Sequence, residues 1–410
     1  MKRMKKFIAL GLVLATLVTS LTACGNKDNA PAGNEGQSTE EGGSAPENDA
    51  NKDDAAPEGE DGSQEGGSEE GGAAPAEGAF KIGYNYFGPG SYALTTLAGN
   101  QSFVIEAFGD TYQDISDDFQ VDKIVQDIEN LISSGCDGII IWLPADNLYQ
   151  TVIDKCTEAK VPFVFADKVP SDPAIKEALM DNEYFAGAVG PANAEYGSLI
   201  AQYALDKGYK SCIISTGAQG DPTDTPRIEA FKETFEGGGG EVKQEVYTDS
   251  QDNIQPYTEN ALIAYPDVDF VYGTGSDYGI GACAAAKNQF LETKVLTSGL
   301  DSGALELLED GTYMEFVNGD FWISGTMATV LLENYLHGNP IKDADGNPVW
   351  VDDIMPFEVS ADQFADFKAC FVDKSCYSTE EIQAMNGISY DEFMNIIKNY
   401  SLEERLAAGK

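Results

Sequence analysis

Gly138-Ile139-Ile140-Ile141-Trp142, a helical stretch at 148–159, and then Pro162-Phe163-Val164-Phe165-Ala166 form the passage that decides the fold. Both outer runs are continuously apolar, rich in Ile, Val or Phe, and bounded by small or polar residues. A strand with one wet face alternates apolar and polar side chains. An unbroken apolar run needs cover on both faces, which a helix joining two parallel strands supplies. The passage therefore predicts a βαβ unit in a buried parallel sheet.

Working outward, the same alternation continues in both directions. Strands are expected at 81–87 and 111–116, with helices at 97–108 and 121–133. After a loop at 171–183 the pattern begins again with a helix over 186–207 and a strand at 211–216. A helix at 227–236, the glycine turn 237–240, a strand at 242–247 and a helix at 255–265 follow. Strands at 270–273 and 294–299 flank a helix at 280–290. A helix at 302–309, a strand at 313–318 and a helix at 322–336 close the series, and 377–406 reads as a helical extension. Such alternation predicts an α/β fold of two doubly wound, Rossmann-like lobes.

The lobes are preceded by two segments of other character. Lys2, Arg3, Lys5 and Lys6 lead into an apolar run from Phe7, and Leu21-Thr22-Ala23 ends at Cys24. The apolar run is shorter than the ~20 residues a membrane-spanning helix needs, so it reads as an export signal. The arrangement resembles a bacterial lipoprotein signal, which implies removal of residues 1–23 and a lipid on Cys24. Two or more acyl chains would hold the protein durably on a membrane. From Gly25 to about Gly78 there is no aromatic residue and no aliphatic side chain larger than Ala. Such a segment cannot bury enough apolar surface to fold. Residues 24–78 are expected to be a disordered acidic tether with a span of roughly 40 Å.

With Lys and Arg at 25 against 69 Asp and Glu, the net charge is −44. No basic face is available for a phosphate backbone, which excludes nucleic acid as a partner. Of the seven cysteines, none has metal-ligand spacing. Cys370 and Cys376, close together in a loop-like stretch of an exported chain, are candidates for a local disulfide.

Polar residues recur where the expected strands end: Asp167-Lys168, Arg227 opening a helix, Ser276-Asp277, Gly299-Leu300-Asp301-Ser302-Gly303, and Asn318. Open α/β sheets bind ligands at the carboxyl ends of their strands. In order and spacing these markers resemble the type I periplasmic (solute) binding proteins of sugar ABC importers, the ribose-binding branch. The resemblance covers roughly 80–364. It implies a three-crossover hinge near 181–183, 318 and 349–353. One lobe would then comprise 79–182 and 319–349, the other 183–318 and 350–364, with 365–410 a C-terminal extension. It also implies an extracytoplasmic monomer that takes a small polar solute, a monosaccharide above all, and hands it to an ABC permease.

The chemistry of these residues agrees. Asp167 and Asp301 offer ionised acceptors to sugar hydroxyls, Arg227 offers five donors in a fixed fork, and Asn318 donates and accepts. Lys168, Ser276 and Asp277 complete the polar set. Tyr86, Phe87, Ser91 and Tyr92 near the first strand end, with Trp142 at the third, offer aromatic faces for a sugar ring and one hydroxyl. No cofactor, metal or catalytic residue is expected. A receptor that passes its signal to chemotaxis or a sensor kinase is an alternative within the binding class.

The rival from another class is an exported dinucleotide-dependent oxidoreductase, because Gly88-Pro89-Gly90-Ser91-Tyr92-Ala93 fits a Gly-x-Gly-x-x-Ala fingerprint. The acid expected at the end of the second strand is ambiguous among Asp114, Asp117 and Asp118. The chain has one histidine, His337, beside Gly338 at an expected helix end, where a solvated cap is the reading. Asp343-Ala344-Asp345-Gly346-Asn347 starts like a calcium loop, but its Gly comes too early, so a tight turn is expected.

Overall fold

The computed structural model describes residues 78–88, 92–248, 250–371 and 376–407, leaving aside the side chains of residues 92, 93, 321 and 322. The signal, the tether, Cys24, Ser91 and the Tyr92 side chain lie outside the described residues.

The first lobe is built from β1 (Lys81–Tyr86), α1 (Tyr92–Phe108), β2 (Thr111–Ser116), α2 (Ile124–Ser133), β3 (Gly138–Ile141), α3 (Tyr149–Ala159), β4 (Phe163–Ala166), α4 (Pro173–Met180) and β5 (Phe185–Pro191). The second runs through α5 (Asn193–Lys207), β6 (Ser211–Thr216), α6 (Asp224–Gly237), β7 (Glu241–Tyr247), α7 (Gln251–Ala264), β8 (Phe270–Gly273), α8 (Ser276–Asn288), β9 (Lys294–Ser298), α9 (Ser302–Asp310) and β10 (Met314–Gly319). Helix α10 (Phe321–Leu336) returns to the first lobe and is followed by β11 (Val349–Ile354). The chain then gives β12 (Phe357–Ser360) to the second lobe and ends with α11 (Phe364–Phe371), α12 (Thr379–Gln383), α13 (Tyr390–Lys398) and α14 (Leu402–Ala407).

Each sheet has six strands, in the orders β2-β1-β3-β4-β5-β11 and β7-β6-β8-β9-β10-β12. All pairings are parallel except β10 with β12. The continuous apolar runs are explained by cover on both faces. In β3, Ile139 and Ile141 face one apolar cluster while Ile140 faces another, and β4 divides Phe163 and Phe165 from Val164 and Ala166 in the same way. Helix α2 meets this core through Ile124, Ile128 and Leu131, one stripe at helical spacing.

Three crossings join the lobes, as expected, but two of them lie elsewhere. The chain crosses at 191–193, at 319–321 and at 354–357 rather than near 181–183 and 349–353. The expected helix over 186–207 is in fact β5 followed by α5. Because β5 pairs with β4 and β11 in the first sheet, the first lobe extends to Pro191 and reclaims all of β11. At the crossings themselves, the Ala192 amide donates to the Ile354 carbonyl at 2.9 Å, tying the first to the third.

The C-terminal extension packs on both lobes. Phe367, Phe371, Cys376, Ile382 and Phe393 are buried in the same apolar cluster as Ile82 and Tyr84 of the first lobe and Ile213 and Val271 of the second. Gln383 donates to the Ala107 carbonyl at 3.0 Å, while Lys368 pairs with Glu309 at 2.8 Å. Capping boxes at Ser378 and Ser389 start α12 and α13. Cys370 and Cys376 are buried in this cluster as thiols and are not joined, contrary to the disulfide expectation. Aromatic packing encloses them, Phe367 stacking on Phe371 and Tyr377 on Tyr400. Burial pushes the Cys376 thiol up to about 12. Asp343 accepts the amides of Asp345 and Asn347, each at 2.9 Å, the tight turn expected there.

Candidate functional site

Strand order reverses between β1 and β3 in one sheet and between β6 and β8 in the other, and ligands of open α/β sheets bind at such switch points. The residues just past these strands are Phe87, Trp142, Gly217 and Thr274. Trp142 is almost wholly buried, with Phe87 tilted against it at 5.4 Å and Leu94 and Leu97 in the same small cluster. Asn85 holds the Trp142 backbone at both polar atoms: its side chain accepts from the amide at 3.0 Å and donates to the carbonyl at 2.9 Å. The indole is thereby aimed past β4, where Nε1 donates to Asp167 Oδ2 at 3.0 Å.

Asp167 follows β4 with a left-handed φ of 67°, a region open to Asp more readily than to most side chains. Lys168 Nζ lies 5.0 Å from the Trp142 ring centroid. From the second lobe Arg227 enters on α6, nearly buried. Its Nε and Nη2 donate to Asn193 Oδ1 at 3.0 and 2.8 Å, and Nη1 donates to the Thr274 carbonyl at 2.7 Å. The guanidinium also lies 4.1 Å from the centre of the Tyr196 ring, a cation–π contact.

Charges cross between the lobes. Burial raises the Asp167 carboxyl above its ordinary value, and Lys168, Trp142 and Arg227 pull it back. Burial likewise raises Asp224 on α6, with Asp221 adding to it, while Arg227 and Lys168 oppose. Lys168 of one lobe thus favours an anion on the other, and Arg227 does the reverse. Two cavities, of about 540 and 710 Å³, open along this cleft. The first is lined by Asp167 and Lys168 facing Thr223 and Pro226, the second by Phe87 and Phe119 facing Asp277 and Tyr278.

The remaining expected residues divide. Ser276, Asp301 and Asn318 gather about the turn after β9, where Gly299 has φ 128° and an added Cβ would stand 1.8 Å from Ser276 Oγ. Asp301 Oδ1 caps α9 by accepting the amides of Gly303 at 3.0 Å and Ala304 at 3.2 Å. Asn318 donates to the Tyr196 carbonyl at 2.9 Å. Ser276 Oγ, Asp301 Oδ2 and Asn318 Oδ1 are buried with no hydrogen-bond partner. Burial pushes the Asp301 carboxyl up to about 7. Asp277 accepts from Gln251 at 3.3 Å beside the second cavity. Tyr86 is apart from the cleft. It packs with Ile82 and Tyr84 on the core face of β1, because alternate residues of a strand face opposite ways.

Asn193, Tyr196, Asp224 and Asp320 were missed in the sequence. Tyr196 donates its hydroxyl to Asp320, which lies in the second crossing. Burial and the nearby Asp167 charge push Asp320 up to about 7, against the Tyr196 hydrogen bond and Arg227. An acid two residues beyond Asn318, at a point where the chain leaves a strand, was the available signal.

The pattern described as a periplasmic binding protein domain matches residues 99–340. The chain belongs to the periplasmic binding protein family. The ribose import binding protein RbsB of Bacillus subtilis is 22% identical over 234 residues, covering 55% of this chain and 72% of that one. A periplasmic ribose ABC transporter structure from Conexibacter woesei superimposes with a TM-score of 0.58 at 21% identity, covering 76% of this chain and 100% of the other. A Mycobacterium smegmatis structure in complex with β-D-fucofuranose gives 0.60 at 17% identity, covering 75% and 98%. The two-lobed type I fold of this periplasmic binding protein is as expected. The family acts outside the cytoplasm and binds its solute without chemistry, so the oxidoreductase reading of residues 88–93 is set aside.

Proposed function

We propose that this periplasmic binding protein is a lipid-anchored monomeric receptor that captures a monosaccharide between its lobes and presents the closed form to an ABC permease. The observation that carries the reading is the meeting of buried donors and acceptors of both signs at the strand ends, Asp167 with Trp142 from one lobe and Arg227 with Asn193 from the other. A sugar is dense in hydroxyl groups that both donate and accept. Desolvated carboxylates are strong acceptors for it, and the Arg227 fork suits its ring and hydroxyl oxygens. The Trp142 and Phe87 faces give an apolar wall for its C–H surface. In this reading Lys168, Ser276, Asp277, Asp301 and Asn318 supply further polar contacts.

Contacts made by both lobes at once favour the closed state, and that differential affinity is what drives closure about a hinge. Ribose and fucofuranose, named with the relatives, define the first sugars to try. The lipid on Cys24 and the acidic tether would keep the lobes near the permease. The test is calorimetric titration of the full chain with pentoses, hexoses, polyols, amino acids and nucleosides. Saturable binding of one sugar class that weakens in Arg227→Lys supports the reading. Binding confined to amino acids or nucleosides, or unchanged in that variant, overturns it. Detergent phase partition of wild type against Cys24→Ser tests the anchor separately.

A further inference from the structure

Three metal-ligating side chains converge at the end of the first lobe opposite the cleft. Glu333 and His337 stand four residues apart at the end of α10, on one helix face. Asp110 sits in the turn between α1 and β2, at the amino end of the sheet. One ligating atom from each lies within 4.8 Å of the others. His337 Nε2 is 2.8 Å from Asp110 Oδ2 and 3.7 Å from Glu333 Oε2. His337 is therefore more than a solvated cap.

The cluster has an unbalanced member. Glu333 is completely buried, and neither of its carboxyl oxygens has a hydrogen-bond donor. Asp110 already uses Oδ1 to accept the Phe80 amide at 2.7 Å. Two carboxyl groups thus crowd against one imidazole, one of them wholly buried and without a donor. Either a held proton or a cation must offset such a pair. The Phe80 ring meets the imidazole edge-on at 5.1 Å and Phe108 lies tilted at 5.7 Å, which fixes its plane. The His337 edge reaches solvent and offers a way in.

We propose that Asp110, Glu333 and His337 form a binding site for a divalent transition-metal ion, zinc by its donor set, which staples the end of α10 to the α1–β2 turn. Two carboxylates and an imidazole with an open position suit zinc, whose tetrahedral bonds space ligand atoms roughly 3.3 Å apart. The observed 2.8 and 3.7 Å bracket that spacing. A helix carboxyl end also favours a cation. Through Asp110 and Phe80 the ion would fasten the start of β1, where the tether enters the lobe.

The full chain, stripped with a chelator, is titrated with Zn²⁺ and with Co²⁺ as an optical probe, with Ca²⁺ and Mg²⁺ as controls for the acidic tether. Expected are a four-coordinate Co²⁺ absorption band and a higher melting temperature with Zn²⁺. Both should be lost in His337→Ala, and Zn²⁺ affinity should fall by at least about ten-fold in Glu333→Gln. Loss in the surface variant His337→Ala alone still supports the site if Glu333→Gln fails to fold. The proposal is overturned by equal Zn²⁺ binding in His337→Ala. It is also overturned by a Glu333→Gln protein that is stabilised with unchanged metal affinity, the result a proton shared between Glu333 and Asp110 would give.

Discussion

Two donors of Arg227 converge on a single oxygen, Asn193 Oδ1, at 3.0 and 2.8 Å, and Asn193 is the residue at which the chain enters the second lobe. The side chain that reaches toward the first lobe is therefore oriented by the hinge itself. Lysine keeps the charge but cannot reproduce the fork. Arg227→Lys is expected to weaken solute binding by about 1–3 kcal/mol, roughly five- to 150-fold. Isothermal titration checks this, and equal affinity in the lysine variant would remove the fork from the binding account.

Asp301 has a capping role that substitution can isolate. As the cap of α9 it satisfies the amides of Gly303 and Ala304. Asp301→Ala should cost about 1 kcal/mol of stability, whereas Asp301→Asn, an equally good cap, should cost little. Denaturant midpoints of the two variants check this; equal loss in both would deny the capping role.

The Asp320 carboxyl sits at about 7 in the folded protein, facing Tyr196, Asp167 and Arg227. An unfolded Asp titrates near 3.9, so the folded state holds more protons between these values and stability falls as pH rises from about 4 to 7. The slope from one such group is at most about 1.4 kcal/mol per pH unit. Asp320→Asn, which keeps an oxygen for Tyr196, should flatten that fall and gain stability at pH 8 but not at pH 4. Parallel pH–stability curves for wild type and variant would contradict this.

Phe393 of α13 is fully buried in the cluster that spans both lobes and the extension. Phe393→Ala should cost about 3–5 kcal/mol, as for other buried aromatic truncations. Urea unfolding measures it, and a loss below 1 kcal/mol would show that the extension is not integral to the core. Because the extension contacts both lobes, its removal should also widen the range of lobe separation seen by small-angle X-ray scattering.

Much of the candidate site was legible because strand ends of an α/β sheet are positions where polar residues have work to do. Trp142, Asp167 and Arg227 stand there in the sequence and are brought together in the structure. Tyr86 misled, since being next to a strand end says nothing about which face a side chain takes; strand alternation sends it to the core. Tyr196 and Asp320 stayed hidden because they are 124 residues apart and meet only where two crossings run side by side.

The sequence by itself determined the parallel sheets, because unbroken runs such as Ile139-Ile140-Ile141 admit no wet face. Only the tertiary structure decided where the lobes part. Phe185-Ala186-Gly187-Ala188-Val189-Gly190-Pro191 is rich in small residues of low strand preference, and its local pattern suits a helix start as well. It is a strand because of what surrounds it. Gly187 takes φ 148° where an added Cβ would stand 2.7 Å from Leu331 and 2.8 Å from the Val349 carbonyl. The close approach of α10 and β11 requires small residues there, and those neighbours, more than 140 positions away in the chain, supply the packing and hydrogen bonds that local preference does not.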